Sequence, residues 1–205
     1  APGLNAVIRA VARTALRRGW NLLGFLDGYA GLIENRTVSL TSNYISGLLH
    51  RGGTILGSNN RDNPFHFPVP TAAGVVYKDM SAQAVTNLKQ NKIDCLIAIG
   101  GDGSLAIAHE LAQKGARVIG VPKTIDNDLL ATDQTFGFDT AVATATEALD
   151  RLHTTAESHH RVMVLELMGR QAGWIALVSG IAGGADVILI PEIPWQIDSV
   201  VNKIN

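Results

Sequence analysis

The residue types best suited to chemistry are concentrated in two short segments. The first covers residues 100–104, Gly-Gly-Asp-Gly-Ser. Glycines let the backbone approach a ligand closely, and N–H groups at the start of a helix attract anions, so Gly100, Gly101, Gly103 and Ser104 are typical of a phosphate cradle. Asp102 would repel a phosphate unless a cation lay between them, which predicts a bound Mg²⁺ ion. The alternative is an ordinary turn in which Ser104 or Asp102 caps the helix.

The second segment covers residues 122–128, Pro-Lys-Thr-Ile-Asp-Asn-Asp. Phosphoryl transfer to an alcohol requires a carboxylate that accepts the hydroxyl proton, so Asp126 and Asp128 are candidate catalytic residues. Lys123 and Thr124 can neutralise and orient a migrating phosphoryl group. The alternative is a solvated acidic turn with Asn127 in a left-handed conformation.

Both segments follow short, almost wholly apolar runs, Asp94–Ile99 and Arg117–Val121, which are typical of parallel strands covered on both faces. Helical spacing around these runs predicts an α/β fold with a doubly wound, mostly parallel, Rossmann-like sheet. Ligands of such a sheet bind at the carboxyl ends of its strands, where both segments lie. The predicted helices are Ala6–Leu16, Ser81–Gln90, Leu105–Lys114, Asp139–Glu157 and Ala172–Ile181, and the other predicted strands are Asn21–Leu26, Val162–Leu167 and Val187–Ile190.

The Gly137-Phe138 step predicts a hinge between two lobes, residues 1–137 and residues 138–205, of which the second is an incomplete α/β lobe. The segment Gly52–Ala73 is rich in proline and glycine and predicts surface loops. The chain begins without Met or a leading strand and ends inside a predicted helix. We therefore expect a polypeptide that is truncated at both ends.

Composition favours a folded protein with a small-molecule partner. The 205 residues are 46% hydrophobic, which suffices for a buried core. A formal net charge of −1, without a basic block, offers no electrostatic footprint for nucleic acid or a membrane surface. The single cysteine, Cys95, lies in an apolar run and is interpreted as a small buried residue. It has no partner for an internal disulfide, which fits a reducing cytoplasm.

Several sequence blocks, in the same order and at approximately the same spacing, resemble the 6-phosphofructokinases over essentially the whole chain. The resemblance implies phosphoryl transfer from ATP to the 1-hydroxyl of fructose 6-phosphate, which yields fructose 1,6-bisphosphate in glycolysis. It also makes residues 1–137 the donor-binding lobe, without its first strand, and residues 138–205 part of the sugar-phosphate lobe. The matching blocks are residues 1–5, 51–54, 100–104, 122–128, 168–170 and 183–184.

The resemblance also implies roles for individual residues. Asp126 matches the base for the 1-hydroxyl, Asp102 matches the residue that serves magnesium, and Thr124 and Asp128 match neighbours of the transferring phosphoryl group. Arg61 is expected to take the role of a donor-binding arginine that many ATP-using members place one residue earlier.

On the sugar side, Met168, Gly169 and Arg170 match part of the sugar site, where Arg170 suits oxygen ligands. Arg161 matches an arginine that reaches the sugar phosphate of a neighbouring subunit. The resemblance therefore implies a homo-oligomer, a dimer or a tetramer, with a shared active site.

The phosphoryl donor is the least determined part of the resemblance. Gly103 is typical of ATP users, because an aspartate there would crowd and repel a nucleotide. Lys123 is typical of pyrophosphate users, so pyrophosphate remains the alternative donor. Two less favoured readings are an NAD-kinase-like or lipid-kinase-like enzyme and a non-catalytic regulatory subunit. We expect residues 1–205 alone to be poorly active.

Overall fold

The computed structural model describes residues 2–59, 61–72, 74–169 and 171–204. Their tertiary contacts divide the chain into two compact units, Gly3–Lys123 and Thr124–Asn205. The boundary between lobes that the sequence predicts after residue 137 stays a prediction.

The first unit begins with helix α1, Leu4–Arg17, whose apolar side chains recur at helical spacing. Strand β1, Leu23–Phe25, pairs antiparallel with strand β2, Thr37–Ser39, and helix α2, Tyr29–Glu34, lies between them in the chain. The inner face of α1 packs on residues that follow β2. The buried members of this cluster are Ile8, Ala12, Leu40, Ile45 and Leu48.

The first strand of a hairpin lies inside the segment for which the sequence predicts only loops, and the second strand follows directly after it. Strand β3, Phe67–Thr71, pairs antiparallel with strand β4, Gly74–Lys78. Pro68 and Pro70 made a strand improbable, because proline cannot donate to a ladder. A two-stranded hairpin tolerates both prolines, since the outer edge of β3 needs no donors.

Helix α3, Ser81–Gln90, leads to a parallel pair formed by strand β5, Leu96–Gly100, and strand β6, Val118–Thr124. Helix α4, Asp102–Gln113, connects the two strands. This β-α-β arrangement confirms the predicted α/β class. The interpretation of Cys95 as buried is wrong, since the residue is exposed just before β5. The core beneath this pair includes Leu32, Ile33, Ala84, Leu88 and Leu111.

The second unit is mainly helical. It contains the short strand β7, Phe136–Gly137, and helices α5, Phe138–His159, α6, Trp174–Ala182, and α7, Ile197–Ile204. Helices α5 and α6 pack together, and their shared core contains Phe138, Ala145 and Ile175.

Two predicted strands, Val162–Leu167 and Val187–Ile190, do not form, and these predictions are wrong. Apolar sequence makes a strand only when another strand supplies hydrogen-bond partners, and within the described ranges neither segment has one. Val164 is consequently 88% exposed. Across the same ranges, no helix combines the length and the apolar character needed to cross a bilayer.

Candidate active site

The segment 100–104, here named the cradle loop, folds tightly at the carboxyl end of β5. Gly100 ends the strand and lies opposite Pro122 of β6 in the parallel register. A Cβ atom on Gly100 would lie 2.5 Å from the Ser104 Cβ atom and 2.7 Å from the Ser104 Oγ atom. Only glycine therefore fits at this turn without displacing Ser104.

Helix α4 begins directly after the cradle loop and has no side-chain cap. Its N-cap residue is Gly101, in an extended conformation, and the Leu105 N–H donates to the Gly101 carbonyl at 3.0 Å. The alternative reading, in which Ser104 or Asp102 caps the helix, is therefore wrong. An uncapped helix start presents N–H groups and a favourable field to an anion.

Tyr29, which the sequence did not single out, is hydrogen-bonded to the last residue of the cradle loop. The Tyr29 hydroxyl donates a hydrogen bond to the Ser104 carbonyl at 2.7 Å. Burial raises the pKa of Tyr29 from 10.0 to about 12, so the phenol stays protonated as a donor. Tyr29 opens α2 after a turn with positive φ angles at Asp27 and Gly28. Because these partners lie 75 residues apart, no local pattern could reveal the contact.

The Asp102 and Gly103 side-chain positions face space that a ligand could fill. Asp102 is exposed in the first turn of α4. A Cβ atom on Gly103 would meet no other atom within 4 Å. Throughout the described parts of the chain, no three or more His, Cys, Asp and Glu residues gather as a metal site. A lone Asp102 nevertheless suits Mg²⁺, which takes one or two carboxylates and completes its shell with water and phosphate oxygens.

The segment 122–128, here named the acid loop, begins within β6 beside the end of β5. Lys123 is half-buried. In the second unit, the Asp126 N–H donates to the Thr124 Oγ1 atom at 3.2 Å, so these two candidates lie together. Both are half-buried, and the Asp126 Oδ1 atom is shielded from solvent, whereas Asp128 is exposed.

Asn127 and Thr135 fix the acid loop on both sides of Asp126. Asn127 has φ 52°, as expected for a left-handed turn, and its Oδ1 atom accepts the Thr135 N–H at 2.9 Å. The Thr135 hydroxyl donates to the Thr124 carbonyl at 2.9 Å. Sequence reasoning missed Thr135, because a single threonine beyond the loop carries no pattern of its own.

The loop that leads to Arg61 is anchored by Asn5, which is 3% exposed. The Asn5 amide donates to the Arg51 carbonyl at 2.8 Å, and its oxygen accepts the Ile55 N–H at 2.9 Å. The bond to Arg51 joins two of the sequence blocks that carry the family resemblance, residues 1–5 and 51–54. Arg61 itself is exposed, and its N–H donates to the Asn59 side chain at 2.9 Å.

The candidate sugar-site residues follow α5 in a segment without regular secondary structure. Arg161 and Met168 are exposed, and Met168 reaches 73%. Gly169 has φ 142°, and a Cβ atom there would lie 2.5 Å from the Ala172 carbonyl oxygen, so this turn requires glycine. Arg170 lies outside the described residues.

Comparison with known proteins gives consistent matches over the whole chain. The sequence model described as Phosphofructokinase matches residues 1–205. The chain is 62% identical to ATP-dependent 6-phosphofructokinase 2 of Clostridium perfringens, over 99% of this chain and 56% of the relative. It is 54% identical to pyrophosphate–fructose 6-phosphate 1-phosphotransferase of Amycolatopsis mediterranei, over 98% of this chain and 56% of the relative.

A solved structure of phosphofructokinase from Saccharomyces cerevisiae matches with a TM-score of 0.78 at 34% identity. The match covers 94% of this chain and 28% of that one. The chain thus spans about half the length of the curated relatives it matches.

Proposed function

The chain belongs to the phosphofructokinase family, and from this premise we propose that the whole protein phosphorylates the 1-hydroxyl of fructose 6-phosphate with ATP. The product is fructose 1,6-bisphosphate, and the reaction belongs to glycolysis. The observation that carries the proposal is the acid loop, in which Asp126 is held in a turn against Thr124. A fixed carboxylate in a phosphofructokinase chain is suited to accept the proton of the attacking hydroxyl.

We assign the donor to the cradle loop, where Gly100, Gly101, Gly103 and Ser104 surround the uncapped start of α4. Backbone N–H groups there can receive phosphate oxygens. The open space at Gly103 supports ATP, because it leaves room for the rest of a nucleotide. Arg61 is the further donor ligand in this assignment.

Pyrophosphate is the second candidate donor, and a specific residue favours it. Lys123 ends the first unit inside the acid loop, where a lysine can hold an additional phosphate. The relative from Amycolatopsis mediterranei is named for pyrophosphate, whereas the more similar relative from Clostridium perfringens is named for ATP. We rank ATP first on the steric argument at Gly103.

Asp102 is the residue that would hold Mg²⁺, and the ion supplies neutralisation of charge on the phosphate oxygens. The protein's own residues carry the proton and the geometry. Asp126 accepts the hydroxyl proton as the 1-oxygen forms its bond to the transferred phosphorus. The bond from that phosphorus to the leaving oxygen of the donor then breaks. Thr124, Asp128 and Lys123 orient the phosphoryl group.

The sugar phosphate is assigned to Arg161, Met168, Gly169 and Arg170. Arg161 is exposed at the end of α5, which supports a role at the active site of a neighbouring subunit. The proposed assembly is a homo-oligomer, a dimer or a tetramer, with shared active sites. The proposed location is the cytoplasm.

The test is a coupled assay of the complete protein for fructose 1,6-bisphosphate, with Mg²⁺ and either ATP or pyrophosphate at matched concentrations. We expect turnover with fructose 6-phosphate and a higher kcat/KM for ATP. A higher value for pyrophosphate would reverse the ranking of donors. No turnover with either donor would overturn the proposed function itself.

A further inference from the structure

Thr135 is a buried polar residue whose hydroxyl and N–H both donate hydrogen bonds to the acid loop. It is 3% exposed and lies just before β7. Its hydroxyl donates to the Thr124 carbonyl at 2.9 Å, and its N–H donates to the Asn127 Oδ1 atom at 2.9 Å. A buried hydroxyl is costly unless it is hydrogen-bonded, so both groups strongly favour this one arrangement of the loop.

The two bonds reach the chain on opposite sides of Asp126. Thr124 precedes the acid by two positions, and Asn127 follows it directly. A third bond, from the Asp126 N–H to the Thr124 hydroxyl, closes the turn between them. The backbone that carries the carboxylate is therefore fixed from both ends.

Residues 128–134, which follow the turn, contribute little packing that could hold Asp126 in place. Leu130 is 97% exposed, and Ala131 has a left-handed φ of 60°, so residues 128–134 form a projecting loop. Without anchors at its base, such a loop would allow the acid to move, because few packed contacts oppose its motion. Ile125 packs against the core shared by α5 and α6, and Thr135 and Asn127 supply the hydrogen-bonded anchors.

We propose that Thr135 and Asn127 act as positioning residues that preset the Asp126 carboxylate for proton transfer. The inference rests on the proposed function, in which Asp126 is the base. A general base works only within hydrogen-bond reach of its proton, and a displacement of 1 Å can cost about 100-fold in rate. Neither residue needs to touch a substrate for this role.

The kinetic test uses the complete protein and a pair of substitutions at one position. Thr135→Val keeps the side-chain shape and the backbone N–H but removes the hydroxyl. We expect kcat to fall about 10- to 100-fold, with KM for fructose 6-phosphate and for the donor within about twofold. Thr135→Ser restores the hydroxyl, and we expect it to recover most of kcat.

Thr132→Val is the matched control in the same loop. The Thr132 hydroxyl donates to the Gln134 carbonyl at 3.1 Å, which lies outside the acid loop. We expect its kcat to match the wild type. An unchanged kcat in Thr135→Val, or equal losses in the valine and serine variants, would overturn the positioning role.

A second variant guards against a folding defect in Thr135→Val. Asn127→Gly retains the positive φ at no steric cost but removes the acceptor of the Thr135 N–H. We expect the same selective loss of kcat, with only a modest fall in melting temperature from the loss of one acceptor for the buried Thr135 N–H. A melting temperature that falls while kcat of the folded protein stays constant would contradict the proposal.

Hydrogen exchange gives a readout that does not depend on activity. We expect faster exchange of the Asp126 and Thr135 amides in Thr135→Val than in Thr132→Val or the wild type. Unchanged exchange of these amides would overturn the positioning role of Thr135 even if turnover were lost. If the wild-type protein shows no turnover with fructose 6-phosphate, the proposed function itself is overturned. The wild-type assay comes first, so this outcome is distinguished from a failure of the positioning role.

Discussion

The cradle loop and the acid loop leave the same end of the parallel strand pair, yet they keep their shapes by different means. The cradle loop is built from glycines and a bare helix start, with Tyr29 bonded to its last carbonyl. The acid loop is fixed by side chains, chiefly Thr135 and Asn127. A phosphate-binding site can distribute its contacts over several N–H groups. General-base catalysis depends on the position of a single carboxylate.

The largest expected effect comes from a substitution of Asp126, the proposed base in the acid loop. Asp126→Asn keeps the shape of the side chain and removes its ability to accept the proton. We expect kcat of the complete protein to fall about 10²- to 10⁴-fold, with a modest change in KM for fructose 6-phosphate. Steady-state kinetics with a coupled assay would measure both values. An unchanged kcat would remove Asp126 from the role of base.

The next change tests whether the cradle loop selects the donor. Gly103→Asp adds a carboxylate at a position where a Cβ atom would meet no atom within 4 Å beyond its own stretch of helix. We expect kcat/KM for ATP to fall about 100-fold, because like charges brought together cost several kcal/mol. We expect a smaller loss for pyrophosphate, so the ratio of the two values is the measurement. Gly103→Ala is the control, and an unchanged ratio in Gly103→Asp would contradict the steric argument.

A smaller effect is expected from crowding inside the cradle loop itself. Gly100→Ala would force a Cβ atom to 2.5 Å from the Ser104 Cβ atom. We expect the free energy of unfolding to fall by about 1–3 kcal/mol, the usual cost of overpacking. Urea unfolding of residues 1–205 measures this value. Gly103→Ala is again the matched variant, and equal losses in both would show that the contact with Ser104 is unimportant.

The smallest expected effect concerns the hydroxyl behind the cradle loop. Tyr29→Phe removes the hydrogen bond to the Ser104 carbonyl and should lower the free energy of unfolding by about 0.5–1.5 kcal/mol. Because the folded-state pKa is raised from 10.0 to about 12, wild-type stability should decline between these pH values as the phenol ionises. The variant should lack this component of the decline. Melting curves across that range would test both statements, with exposed Tyr77→Phe as the control.

The sequence allowed the helices and the parallel pair to be predicted because their signals are local. Helix α3 has the predicted bounds, Ser81–Gln90. Helix α4 begins three residues earlier than predicted, since its N-cap is a glycine without a capping side chain. The apolar run Val162–Leu167 misled because strand formation depends on a partner, which periodicity does not reveal.

Within the candidate site, the sequence indicated the chemical groups but not their supports. Asp102, Thr124 and Asp126 stand out by type and spacing. Tyr29 and Thr135 act through hydrogen bonds to carbonyls that lie 75 and 11 residues away along the chain. Such contacts follow from tertiary packing, so only coordinates reveal them.

The open space at Gly103 has an evolutionary consequence. A Cβ atom at this position would meet no atom within 4 Å beyond its own stretch of helix, so the packing of the fold does not oppose a small side chain there. Under the proposed role of Gly103, selection on donor preference can act at this codon with little interference from selection on stability.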